Sequence, residues 1–197
     1  MNVNDNINME YEARVMVNEE QYYNILEHYL HSGVSYERSI NQNFYYDTKD
    51  LKLTNSHKVL RARKINDRDI EITLKIQGES GAIEINHKLT DNDSEETILN
   101  IIRNHKPIAD KLLEVGIDPS DLKYITTLRT NRVEFELENC LLVVDENFYR
   151  GKIDWNIEVE SDTENHAKEQ LIAIIKPFDI EYKKDYINKA RRAIYNL

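Results

Sequence analysis

The chain has 197 residues, 40% hydrophobic and 31% charged, with only 5 Gly and 3 Pro; it is long enough to bury a sizeable core and leaves little room for flexible or low-complexity segments. A formal net charge of -10 argues against broad nucleic-acid binding, since phosphate backbones recruit positive surfaces, but allows a small anionic ligand in a local basic pocket. Residues 1–8 show neither a basic start nor an apolar run, and the lone Cys140 beside Leu141 to Val144 has no disulfide partner, so the expectation is a cytoplasmic protein without membrane contact and with an inert core thiol.

Residues 9–17 alternate at the period of a strand, with Tyr11, Ala13, Val15 and Val17 on one face and Glu10, Glu12, Arg14 and Met16 on the other. Asn18 then starts a helix: Gln21 lies three residues on, Glu19 and Glu20 suit the positive end of the dipole, and Tyr22, Ile25, Leu26, Tyr29 and Leu30 draw an apolar stripe that Gly33 closes. Strand signals resume at residues 43–47, in a short piece at 51–53, and at 59–65, where Asn66-Asp67 fits a hairpin turn. Residues 69–77 set Asp69, Glu71, Thr73, Lys75 and Gln77 against Ile70, Ile72, Leu74 and Ile76; residues 78–81 turn the chain back, and 82–89 return with Glu84 and Asn86 opposite Ile83, Ile85 and Leu89.

A helical insert is predicted at about 94–117, its first helix starting at Ser94 and its second at Pro107 with Gly116 as the stop. Strands follow at about 124–138, 140–148 and 153–160; a helix over about 162–176 is halted by Pro177, and another runs from about 183 to residue 197. No internal linker is visible, so residues 1–197 are read as one domain.

So many strands share one charged face that the simplest common destination is an ionised interior. Strand residues two apart project the same way about 7 Å apart, so Glu10/Glu12 and Glu158/Glu160, brought together, make a hard-oxygen site of the kind Mg²⁺ or Mn²⁺ prefers. Arg61 and Arg63 share a face, Arg14 and Lys75 lie on charged faces, and Arg129 follows Thr127 in the same register; converging guanidinium groups suit a chain of phosphates. For any one of these residues, a solvated strand face or a weak surface ion pair is the alternative.

The ordered set Glu10-x-Glu12-x-Arg14, Phe44-Tyr45-Tyr46-Asp47-Thr48, Leu60-Arg61-Ala62-Arg63, Thr73-Leu74-Lys75, Asp145 and Glu158-x-Glu160 resembles the CYTH, or triphosphate tunnel metalloenzyme, family over nearly the whole chain. Thr126 to Arg129 and Asn188 to Arg192 look most like a bacterial branch of it. The resemblance implies an α+β fold: an eight-stranded antiparallel β-barrel forming a tunnel with a charged interior, covered outside by amphipathic helices. It further implies metal carboxylates at Glu10, Glu12, Asp145, Glu158 and Glu160, and phosphate contacts from Arg14, Arg61, Arg63, Lys75 and Arg129. In the last helix Lys189 and Arg192 share a face, so one of them reaches the tunnel mouth or both stay solvated.

Three departures stand out. Arg14 replaces the family's first-strand lysine and keeps the charge but cannot deprotonate; Asn86 and Asn131 replace charged positions. Candidates for the chemical step are Glu84 as proton acceptor and Arg14 as a fixed cation. The implied activity is Mg²⁺- or Mn²⁺-dependent hydrolysis of a short linear phosphate, inorganic tripolyphosphate or an organic triphosphate. The alternatives are a module that binds a polyphosphate or nucleotide without turnover, or an adenylate cyclase, for which no adenine-recognition feature is found. There is no Gly-x-x-x-x-Gly-Lys loop, and His28 and His31 have no further ligands at zinc spacing. The partner is a small triphosphate-containing ligand; the oligomeric state is left open, a homodimer among the options.

Overall fold

The period-two alternation is realised in eight strands: β1 (Asp5–Val17), β2 (Tyr36–Asp47), β3 (Lys58–Ile65), β4 (Asp69–Gln77), β5 (Ala82–Leu89), β6 (Lys123–Glu136), β7 (Leu141–Tyr149) and β8 (Lys152–Ser161). In this computed structural model, which describes residues 5–78, 81–89, 95–183 and 187–197, they form a closed barrel in the order β1-β5-β4-β3-β2-β6-β7-β8. Every neighbouring pair is antiparallel. Closure rests on β1, whose residues 5–10 pair with β5 and whose residues 11–17 pair with β8.

The apolar side of each pleat faces outward and is roofed by helices. Helices α1 (Glu19–Leu30) and α5 (Glu164–Ile175) lay Ile25, Leu171 and Ile175 over Ala13, Val15, Ile157 and Val159. Helices α3 (Glu95–Asn104) and α4 (Lys106–Glu114) lay Ile102, Ile108 and Leu112 over Leu60, Ile72 and Leu74. All of these Ile and Leu side chains are fully buried or nearly so, and each such burial contributes about 1.5–3 kcal/mol. The helices are needed because the polar side of the pleat occupies the lumen.

Local signals behave as their chemistry dictates. Asn18 and Gln21 form a reciprocal capping box at the start of α1, with bonds of 2.8 and 3.0 Å. Asn66 and Asp67 both take positive φ, 49° and 57°, as a two-residue turn between right-twisting strands requires. Strand β2 begins at Tyr36, earlier than the residue-43 start expected, and pairs with β6 along its full length.

Two expectations are corrected. Residues 51–53 are not a strand: helix α2 (Lys52–Asn55) forms there, because the buried Asp47 carboxylate accepts the Leu53 and Thr54 amides at 2.9 Å each and the Thr54 hydroxyl at 2.7 Å. The last helix, α6 (Lys189–Tyr195), starts six residues later than residue 183, where the Asn188 side chain accepts the Arg191 amide at 2.9 Å. Ser94, residues 79–80 of the turn between β4 and β5, and residues 184–186 lie outside the described residues.

Helix α6 closes part of the lumen from within. Its Ala190, Ala193 and Ile194 pack on inward-facing Tyr45, Leu128 and Tyr149, an apolar layer inside an otherwise polar barrel. Among the described residues no helix is long and apolar enough to cross a membrane.

Candidate functional site

The lumen contains a cavity of about 700 Å³ whose wall includes Glu10, Glu12, Arg61, Lys75, Glu84 and Glu158. Strand register decides which charges meet. Arg14 lies directly across the β1–β8 ladder from Glu158, Lys75 across from Glu84, and Arg132 across from Asp145. Cross-strand neighbours on one face are close enough to interact, so each pairing places opposite charges in contact.

Three linked clusters result. In the first, the Lys75 ammonium donates to Glu10 and stands 3.6 Å from both Glu12 and Glu84. Burial works to lower the Lys75 pKa, but Glu12, Glu10 and Glu84 overcome it and raise it. Burial would likewise lift Glu84, yet Arg61 and then Lys75 hold it below the usual glutamate value, so it is ionised at neutral pH. In the second cluster Arg132 forks onto Asp145, Nε to Oδ1 at 2.9 Å and Nη2 to Oδ2 at 2.8 Å, and reaches Glu158 at 3.3 Å. Lys189 from α6 bridges the same two acids at 2.5 and 2.8 Å, and Arg14 joins at 3.2 Å. Burial opposes ionisation of Glu158, but Lys189, Arg14 and Arg132 together press its pKa well down.

The third group is cationic. Arg61 and Arg63 face inward from β3, and among the described residues neither forms an ion pair with a carboxylate. Arg63 donates to the Asn43 side chain at 3.2 Å, while the buried Nε of Arg61 has no hydrogen-bond partner. Burial, then Arg61 and Arg132, pushes the Arg63 pKa down to about 10, which still leaves it charged at pH 7. Two half-buried guanidinium groups on one strand face, one with a buried Nε that lacks an acceptor, fit an anion.

Acidic residues crowd at another point of the wall. Glu12 and Glu160 are directly opposed in the β1–β8 ladder, with Glu10 and Glu158 each two residues along. Burial first, and then Glu10, Glu158 and Glu12 against the opposing pull of Arg132, push Glu160 up to about 7. The donor set, all carboxylate oxygen and in excess of local positive charge, fits a hard divalent cation. Among the described residues no three acidic, His or Cys side chains stand together as a metal cage, because Lys75, Arg14 and Lys189 are interposed between them.

The crowding carries a stability consequence. A glutamate raised from 4.5 to about 7 destabilises the folded metal-free protein as pH rises above the unfolded value, with the penalty complete above about 7. Glu160→Gln is therefore expected to stabilise the protein at pH 8 by on the order of 1–3 kcal/mol and to give only a fraction of that at pH 5. Urea unfolding at the two pH values checks it; an equal change at both would remove charge crowding as the cause.

Of the residues expected from sequence, Glu10, Glu12, Arg14, Arg61, Arg63, Lys75, Glu84, Glu158, Glu160 and Lys189 all line this cavity, and Asp145 lies behind it under Arg132 and Lys189. Two are corrected. Arg129 is on the outer face of β6, exposed, bonded to Asn131 at 3.2 Å and stacked 5.7 Å from the Phe148 ring centroid. Arg192 is inside but spoken for: it donates to Asp154 at 2.7 Å and to Asn156 at 3.2 Å, fastening α6 to β8. Arg132 is the cation that sequence reading missed. Its signal was the neighbouring pair Val133 and Phe135, whose apolar alternation sends Arg132 and Glu134 the other way. Arg129→Ala is expected to leave tripolyphosphate binding unchanged within about twofold, the size of a surface substitution; calorimetric titration measures it.

A closed antiparallel barrel of eight strands with acids and bases interleaved along its lumen defines a tunnel protein with a charged interior. The chain belongs to the CYTH domain family, whose pattern matches residues 8–194. It is 28% identical over 143 residues, 73% of each chain, to a Bacillus subtilis protein named "Putative triphosphatase YjbK". Among solved structures it is similar to a Bacillus halodurans protein named "putative adenylate cyclase", at 28% identity with a TM-score of 0.79, covering 94% of this chain and 97% of that one. The fold is also shared with HpAC1 from Hippeastrum, a named adenylyl cyclase with dominant triphosphatase activity, at 17% identity, a TM-score of 0.70 and coverage of 95% and 96%.

Proposed function

We propose that this protein hydrolyses a short linear phosphate, inorganic tripolyphosphate or an organic triphosphate, with Mg²⁺ or Mn²⁺. The observation that carries the reading is the pair Arg61 and Arg63: inward-facing, half-buried, outside any ion pair with a described carboxylate, and with one buried Nε lacking an acceptor. A phosphate chain supplies the missing oxygens. The family membership and the triphosphatase name carried by the Bacillus subtilis relative point to the same chemistry.

In this reading Arg61, Arg63 and Lys75 bind phosphoryl oxygens and spread the charge that develops as the phosphoryl group transfers in line. Arg14, tied to Glu158, orients and neutralises without exchanging a proton. Lys189 completes the ring of cations. Glu84, held ionised by Arg61 and Lys75 against burial, accepts the proton of the attacking water. Glu10, Glu12, Glu158 and Glu160, with Asp145 behind, would hold a divalent cation, which when bound neutralises phosphate charge and lowers the pKa of its water. Release of phosphate from tripolyphosphate, ATP or thiamine triphosphate with Mg²⁺ or Mn²⁺ is the test, with Glu12→Gln as the inactive control. No release in any combination ends the hydrolase reading.

One observation favours a second reading, a module that binds without turnover. Asn86 replaces an acid and its Oδ1 already accepts the Thr73 hydroxyl at 2.8 Å, which leaves less negative charge beside Glu84. Thermal stabilisation by tripolyphosphate without phosphate release would select it.

A further inference from the structure

Lys75 stands where two carboxylates of the proposed metal site, Glu10 and Glu12, converge with the proposed proton acceptor Glu84. Its ammonium donates to Glu10 and lies 3.6 Å from a carboxylate oxygen of both Glu12 and Glu84. Its side chain is 19% exposed and those of the three acids are 24%, 28% and 12% exposed, so water screens this contact only in part. The neighbouring acids are treated alike: Glu158 is held by Arg14 and Lys189, and Asp145 by Arg132 and Lys189. The arginines are fixed planar forks, whereas Lys75 is a compact charge on a four-carbon stem that can swing. The two guanidinium groups of β3 lie on the adjoining strand, with Arg61 directly opposite Thr73, Arg63 opposite Glu71 and Val59 opposite Lys75. A phosphate chain seated on Arg61 and Arg63 therefore lies within the sweep of that ammonium.

We infer that Lys75 is the internal counter-ion that keeps the metal carboxylates Glu10 and Glu12 from taking a divalent cation until a phosphate chain draws its ammonium away. The inference rests on the hydrolase reading for the identity of the anion and cation. With Lys75 in place the three acids carry a net charge of roughly -2 and share one ammonium, which donates to Glu10; with Lys75 on phosphate they carry three negative charges, and the metal carboxylates Glu10 and Glu12 need a cation. Linkage makes the effect reciprocal: the polyanion raises affinity for the metal by the factor by which the metal raises affinity for the polyanion. The lysine thus couples the two ligands and prevents an idle metal centre in the free protein.

The test is Mn²⁺ binding to the full chain without phosphate, read from the electron-spin resonance of free Mn²⁺, for wild type, Lys75→Met and Lys75→Arg. Wild type and Lys75→Arg are expected to bind weakly, and Lys75→Met tighter by about tenfold or more, the usual scale of such coupling. A folded Lys75→Met that binds Mn²⁺ no better than wild type overturns the inference. If Lys75→Met does not fold, Lys75→Gln takes its place in the same phosphate-free titration, with a gain of about tenfold expected and equality with wild type overturning the inference. Tight Mn²⁺ uptake by free wild type overturns it alone and leaves the hydrolase reading standing. Absence of Mn²⁺ uptake by every chain, with or without tripolyphosphate, overturns both.

Discussion

Arg132→Ala is expected to lower the unfolding free energy by about 3–5 kcal/mol, the cost of removing one member of a buried ion cluster. Arg132 satisfies Asp145, whose side chain is 0% exposed, through two bonds of 2.9 and 2.8 Å, and also meets Glu158, 3% exposed. Without the guanidinium, Asp145 is left with Lys189, which must also serve Glu158 beside Arg14, and burial already disfavours both carboxylates. In thermal melts of a chain this size the loss corresponds to roughly 6–20 °C. Arg132→Met, which refills the hydrophobic stem but not the charge, should recover little. A loss under 1 kcal/mol would mean that water reaches Asp145.

The opposite sign is expected at Arg61 and Arg63. Because these half-buried cations stand outside any ion pair with a described carboxylate, Arg61→Ala or Arg63→Ala should leave the protein as stable as wild type or more so, while weakening tripolyphosphate binding about tenfold to a hundredfold each, the worth of one charge-assisted contact of 1.5–3 kcal/mol. Calorimetric titration and a melt on the same sample separate the two effects. Wild-type affinity should fall with added salt, and the slope should flatten in each variant as a phosphate contact is lost. Unchanged affinity in the double variant would remove the anion site.

What could be read from the chain beforehand follows the strength of each local signal. Glu10-x-Glu12-x-Arg14 and Glu158-x-Glu160 are unambiguous because the intervening Tyr11, Ala13 and Val159 leave no doubt which face is apolar. On β6 the middle residues give no clean alternation: Thr127, Arg129 and Asn131 look outward, and Thr126, Leu128, Thr130 and Arg132 look inward, so the lone apolar residue sits on the lumen side. Parity there cannot be taken from the middle of the strand, only from Val133 and Phe135 at its end, and choosing the wrong arginine was the result. Helix α2 was illegible for another reason, since its amides are capped by Asp47, up to seven residues away and on a preceding strand. The roles of Lys189 and Arg192 separate only in three dimensions: a seven-residue helix inserted at a slant sends the first to Asp145 and Glu158 and the second to Asp154.

The ladder that closes the barrel joins the first strand to the last, with Glu12 beside Glu160 and Arg14 beside Glu158. During synthesis β1 must wait, one edge unmatched, until residues near 160 have left the ribosome, a separation that favours slow assembly and early contact with chaperones. Both acid pairs come into register only in that final zippering step. A nascent or truncated chain lacking β8 would therefore hold Glu10, Glu12 and the arginines of β3 on an open sheet, without Glu158 and Glu160 to complete the acid cluster, and should behave as an unclosed intermediate rather than a dormant version of the mature protein.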